Sequence, residues 1–191
     1  MWNVPNRILF GHGTAAETGT YLESFGAERA LIVTDEGVRA AGVLDPVLDA
    51  IEDAGKDYAV FDGVVPDPTD TVVHEAAEMY DKADADMLIG IGGGSSMDTA
   101  KAASILATNG GHILNYEGVS NVEYDTPPTI YMPTTSGSGS EVGHWCIVRD
   151  SETDIKEEIG DVELLADLAL IDPQLTAARP HRSRPRPEWT C

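Results

Sequence analysis

An apolar run at residues 86–91 (DMLIGI) passes directly into Gly92-Gly93-Gly94 and then into a helix-forming segment at 96–107. A short continuous apolar strand closed by glycines and followed by a helix is the repeating unit of a parallel sheet covered on both faces. The rest of the chain keeps the same alternation. Residues 14–25 (TAAETGTYLESF) predict a helix stopped by a turn at Gly26, and 30–34 (ALIVT) a compact strand ending at Asp35. Val38, Leu44, Val47, Leu48 and Ile51 lie at helical spacing within 38–54, with Gly55 at the stop position. A strand at 58–61 and a proline-broken loop at 65–69 follow, and Asp70 then caps a helix running to Tyr80. Further strands are expected at 129–132, 145–148 and 168–171, the last closed by Asp172-Pro173. The fold class is therefore α/β, a parallel sheet with right-handed crossovers and helices on both faces.

Ligands of such sheets bind beyond the carboxyl ends of the strands. That rule selects Asp35, the glycine run and the loop after Met132. In Gly90-Ile-Gly-Gly-Gly-Ser-Ser-Met-Asp-Thr-Ala-Lys101 three consecutive glycines leave backbone N–H groups open to an incoming group. Those groups, the helix dipole and the hydroxyls of Ser95 and Ser96 suit a pyrophosphate. The run matches neither G-x-G-x-x-G nor the Walker loop, and taken alone it also reads as a plain glycine-rich turn. A second loop, Pro133-Thr-Thr-Ser-Gly-Ser-Gly-Ser-Glu141, alternates hydroxyls with glycines directly after a strand. It can reach phosphate, ribose or carboxamide in the same crevice, or serve as a connector. Asp35 can accept both hydroxyls of an adenosine ribose and repel a 2′-phosphate, which favours NAD over NADP; it can also cap the following helix.

Composition narrows the partners. Acids outnumber bases 33 to 12, for a net charge of −21. Nucleic acid and anionic membranes repel such a chain. The acids are spread through segments that look folded, the pattern of a surface adapted to high salt. The hydrophobic content of 42% fits a globular core, no apolar run is long enough for a bilayer, and residues 1–9 lack a signal-peptide pattern. A soluble cytoplasmic protein is expected. Cys146 and Cys191 make no C-x-x-C pair, and the five histidines form no H-x-x-x-H or H-E-x-x-H pair, so the sequence shows no self-contained metal site. His144, beside the serine-glycine loop, reads most simply as a half-exposed residue at a strand start.

Taken together, VTD (33–35), VVPDPT (64–69), GIGGGSSMDTAK (90–101), PTTSGSGSEV (133–142) and LIDPQLT (170–176) resemble, in order and spacing, the iron-containing (group III) alcohol dehydrogenases. The resemblance runs from about Pro5 to Thr176. It implies a Rossmann-like, dehydroquinate-synthase-like first domain that binds NAD, with NADP less favoured, joined in the family to an all-helical second domain missing here. In that family an aspartate and three histidines of the second domain hold Fe²⁺ or Zn²⁺, which polarises the alcohol oxygen as hydride leaves for the nicotinamide. The resemblance places Asp35 at the adenosine ribose and Gly93, Gly94 and Ser95 at the pyrophosphate. It places Thr134, Thr135 and Ser138 toward the phosphate and nicotinamide side. Asp98 and Lys101 match the family signature as contacts or as supports from the helix, and Lys156 falls, in a loosely matching stretch, where the family has a lysine near the cofactor. The substrate implied is a small alcohol or aldehyde, and the full-length form a possible homodimer. Alternatives within reach are a non-catalytic dinucleotide-binding fragment and a glycerol-dehydrogenase-like relative.

Residues 1–176 are thus expected to form the NAD-binding domain. Residues 177–191 read as an aberrant basic tail, since four of the twelve bases fall in the last thirteen residues. Glu188-Trp189-Thr190 must be encoded GAR-TGG-ACN, and a shifted frame reads RTG-GAC, Met or Val followed by a forced Asp. With preceding codons that permit Thr-Ala-Ala-Thr-Gly or Thr-Ala-Ala-Ala-Gly, the shifted frame can spell the run that carries the metal-binding aspartate in the family, though only the Asp is forced and chance is the alternative. The tail is expected to be a frameshifted remnant of the second domain's start, and the chain a truncated form with little activity alone.

Overall fold

The computed structural model describes residues 7–177; most of the basic run at 177–191 lies outside them. In chain order the elements are β1 (Ile8–Phe10), α1 (Thr18–Phe25), β2 (Arg29–Val33), α2 (Glu36–Ala40), α3 (Asp45–Asp53), β3 (Asp57–Phe61), α4 (Asp70–Lys82), β4 (Met87–Gly92) and α5 (Gly94–Asn109). Then come β5 (Gly118–Val119), β6 (Thr129–Pro133), β7 (Trp145–Arg149), β8 (Lys156–Gly160), β9 (Leu168–Ile171) and α6 (Pro173–Ala177). Six strands form one parallel sheet in the order β1-β9-β6-β4-β2-β3. The α/β architecture with helices on both faces is as the alternation requires.

Strand side chains alternate between two cores. Ile32, Ile89, Ile91, Ile130 and Met132 point to the side packed by Leu22 of α1 and by Val47 and Ile51 of α3. Leu31, Val33, Leu88 and Tyr131 point to the side packed by Ala76, Ala77 and Tyr80 of α4 and by Met97, Ala100 and Ala103 of α5. Each fully buried Leu or Ile contributes about 1.5–3 kcal/mol, so the central strands β2, β4 and β6 anchor the sheet. From β2 the chain first goes outward to β3 and then crosses to β4 on the other side. The carboxyl ends of β2 and β4 therefore flank a topological switch point.

Three expectations need correction. The helix read across 38–54 is two helices, because Gly42 adopts φ 68° and Pro46 starts α3 afresh. Asp70 is the first residue of α4 rather than its cap; Thr69 holds the cap position, and the Asp70 carboxylate accepts from Ser151 N at 3.0 Å. The strand near 145–148 does not join the parallel sheet. It pairs antiparallel with β8 in a separate three-stranded sheet, β5-β8-β7. One face of β7, Cys146 and Val148, seals a third core with Val73, Ala102, Ile105 and Ile159, while Trp145 and Ile147 face outward. Strand β8 (KEEIG) offered too little apolar sequence to be read as a strand, and β1 is only three residues long.

A histidine pair ties α4 to the turn beneath this outer sheet. His74 Nε2 accepts from Ile113 N at 3.4 Å, and its ring lies 4.7 Å from that of His112. Burial and then the neighbouring His112 hold His74 below its ordinary value of 6.5. The unfolded chain consequently binds the proton better, and stability falls as pH drops from 6.5 through the folded value. His74→Gln, which keeps a neutral acceptor, is expected to lose less of its urea midpoint between about pH 7 and about pH 5 than the parent chain. Equal losses in the two proteins would contradict this assignment.

Candidate functional site

A cleft of about 550 Å³ opens at the switch point, lined by residues 35–37 after β2, 62–66 after β3 and 93–96 at the start of α5. Its floor is the turn from β4 into α5. Gly92 has φ 153°, and a Cβ there would sit 2.3 Å from Ser96 Oγ, so only glycine fits. A Cβ on Gly94 would meet Ser138 Oγ at 3.0 Å and Ser138 Cβ at 3.1 Å, which shows how closely the serine-glycine loop lies over the helix start. The N–H groups of Gly94, Ser95 and Ser96 belong to the first turn of the sixteen-residue α5 and have no carbonyl one turn back. With the positive end of the helix dipole behind them they form an anion cradle.

The serine-glycine loop is held by an internal ammonium. Lys101 is fully buried. Its Nζ donates to the carbonyls of Ser140 at 2.7 Å, Gly143 at 2.7 Å and Trp145 at 3.0 Å. Asp98, one turn earlier on α5, accepts from Ser140 Oγ and, at 3.4 Å, from Ile147 N. Desolvation pushes the Lys101 ammonium below its ordinary value, partly offset by Asp98. Desolvation likewise raises Asp98, offset first by the Ser140 hydrogen bond and then by Lys101.

The structure thus divides the residues singled out in the sequence. Asp35, Gly93, Gly94 and Ser95 line one cleft. Asp35 Oδ1 accepts from Val38 N at 3.0 Å, so it does cap α2, and its other oxygen stays free for a second role. Thr135 and Ser138 overhang Gly93 and Gly94. Thr134 N donates to Gly92 O at 2.8 Å, and its buried Oγ1 has no protein partner. Asp98 and Lys156 lie outside the cleft lining. Both Asp98 oxygens are committed to the serine-glycine loop and β7, and Lys156, on β8, pairs with Asp67 at 2.6 Å. The wall at 62–66 was missed, although part of it falls in the VVPDPT run. Its signal is topological: β3 lies beside β2, so the loop after it must face Asp35.

Among the described residues no group of three or more His, Cys, Asp or Glu side chains is placed to hold a metal ion, and no helix is long and apolar enough to cross a membrane.

A family model described as iron-containing alcohol dehydrogenase matches residues 5–173. The NAD-dependent methanol dehydrogenase of Bacillus methanolicus is 40% identical over 177 residues, covering 93% of this chain and 46% of that protein. The crystal structure of a 1,3-propanediol oxidoreductase superposes with a TM-score of 0.91 at 33% identity, covering 94% of this chain and 47% of that one. Sulfoacetaldehyde reductase from Bifidobacterium kashiwanohense, solved in complex with NAD⁺, gives 0.84 at 30% identity, covering 94% and 48%. The chain spans about half the length of the curated relatives it matches.

Replacing Lys101 by Met would leave three carbonyls without their donor and Asp98 without its counter-charge. Loss of one partner of a buried charge network costs about 3–5 kcal/mol. The expected result is an unfolding free energy from urea titration lower by about that amount; a free energy within about 1 kcal/mol of the parent would show that the ammonium does not hold the loop.

Proposed function

Because the chain belongs to the iron-containing alcohol dehydrogenase family, we propose that these residues are the NAD-binding part of an NAD-dependent, metal-assisted alcohol dehydrogenase acting on a small alcohol or aldehyde. The observation that carries the reading is the cradle itself. A helix N-terminus, a turn with no room for side chains and an overhanging hydroxyl loop meet at the switch point beside a carboxylate. The donors at residues 94–96 would take the pyrophosphate, and the unpartnered Thr134 hydroxyl, with Thr135 and Ser138, would bond phosphate or the nicotinamide side. The free oxygen of Asp35 would accept from the adenosine ribose, which favours NAD over NADP. When bound, the nicotinamide supplies the hydride acceptor of alcohol oxidation. The role of this chain is to orient it and to neutralise its pyrophosphate.

The described residues do not fit a metal site, so no metal-dependent step is assigned to them. The surface with a net charge of −21 supports a protein adapted to high salt, and the lack of a membrane-crossing helix among the described residues fits a cytoplasmic enzyme. A homodimer is the assembly proposed for the full-length form.

Calorimetric titration with NAD⁺ tests the reading. Gly94→Val would push methyls into Ser138 and block the first donors of α5. Losing a single charge-assisted hydrogen bond costs about 1.5–3 kcal/mol, so binding is expected to weaken about tenfold or more. Undiminished affinity in the variant would place the dinucleotide elsewhere. Binding by these residues with no alcohol-dependent NAD reduction is the outcome expected of a nucleotide-binding unit without metal ligands.

A further inference from the structure

One base contacts the lining of the cleft, and it is paired there with Asp62. Asp35, Glu36 and Asp62 line the cleft at its β2–β3 side, and no Lys or Arg is among the lining residues. Arg39 stands on α2 one turn beyond the Asp35 cap, its N–H bonded to Asp35 O at 3.1 Å. Its guanidinium donates through Nη1 to Asp62 Oδ2 at 2.6 Å, with 54% of the Arg39 side chain and 37% of the Asp62 side chain exposed. Three acids against this base leave two net negative charges.

We propose that the Arg39–Asp62 pair is a cofactor-selectivity lock: Asp62 withholds Arg39 from any phosphate on the adenosine 2′ position, so the cleft discriminates against 2′-phosphorylated dinucleotides. This rests on the reading that the adenosine ribose lies at Asp35. A 2′-phosphate needs a cation beside the ribose, and a guanidinium fork is the side chain that meets a phosphate through paired N–H groups. Arg39 has that chemistry and that location. A phosphate that uses it must share the fork with the Asp62 carboxylate, a like charge, while lying close to Asp35, whose Oδ1 is held by Val38 N. Asp35 thus repels the 2′-phosphate directly, while Asp62 acts by occupying part of the Arg39 fork and offsetting its charge. Exposed ion pairs contribute little to stability, so the lock can be opened without unfolding the chain.

The test is the ratio of NADP⁺ to NAD⁺ dissociation constants, measured by calorimetry at one fixed ionic strength for the parent chain, Asp62→Ala, Asp62→Asn and the Arg39→Ala/Asp62→Ala double variant. The lock predicts that Asp62→Ala lowers the ratio by about tenfold or more, with Asp62→Asn intermediate. It also predicts that the double variant gives the gain back. A ratio in Asp62→Ala within about twofold of the parent overturns the lock while NAD⁺ binding itself stands. A gain that persists in the double variant also overturns it, since removal of a negative charge would then suffice without Arg39. A parent chain that binds neither dinucleotide refutes the cofactor reading of the cleft and the lock with it.

Discussion

The contact between the start of α5 and the serine-glycine loop sets the terms for the rest of the site. Gly94 and Ser138 come so close that a single added carbon would press on Ser138, and this closeness confines the free N–H groups of the helix to one narrow place. The loop has few apolar side chains with which to hold itself there. Lys101 supplies the restraint from beneath, one ammonium gathering three carbonyls of the loop and the start of β7. A buried charge is costly to desolvate, and the offset comes from those carbonyls and from Asp98. Structure and cleft therefore share a single device: the helix whose first turn opens on the cleft also carries, on its inner side, the cation that holds the serine-glycine loop over it.

Electrostatics divides the cleft into two ends. Toward α5, backbone donors and the helix terminus favour an anion. Toward β2 and β3, Asp35, Glu36 and Asp62 disfavour one, and the Arg39 guanidinium is tied to Asp62. A dinucleotide with a diphosphate in its middle and an unphosphorylated ribose matches that polarity. The acidic end is also continuous with the general excess of 33 acids over 12 bases. The same residues can thus serve surface charge and cofactor choice together.

Much of this was legible from the residues alone. Short continuous apolar runs followed by glycine or Asp pointed to the parallel sheet and the positions where its loops open, and the triple glycine to the cradle. What escaped depended on neighbours that sequence order does not supply. The wall at 62–66 counts as part of the site only because β3 pairs with β2. Lys101 stood out only through the family resemblance, as a contact or a support from the helix; that it is a buried ammonium follows from a helix packed between α4, β4 and β7, where no polar face is left for it. Strand β7 begins Trp-Cys-Ile-Val, as continuously apolar as β2, so its alternation of exposed and buried residues in a separate sheet shows only in the structure.

An amide chemical-shift titration of the full chain with NAD⁺ tests the central claim most directly, because it reports the location of binding as well as its occurrence. The account predicts saturable shifts that are largest at Gly93, Gly94, Ser95 and Ser96, with a second set at Asp35 and at Thr135 and Ser138. Saturable shifts confined to the outer sheet of β5, β7 and β8, or no saturable shifts at the start of α5, would contradict it.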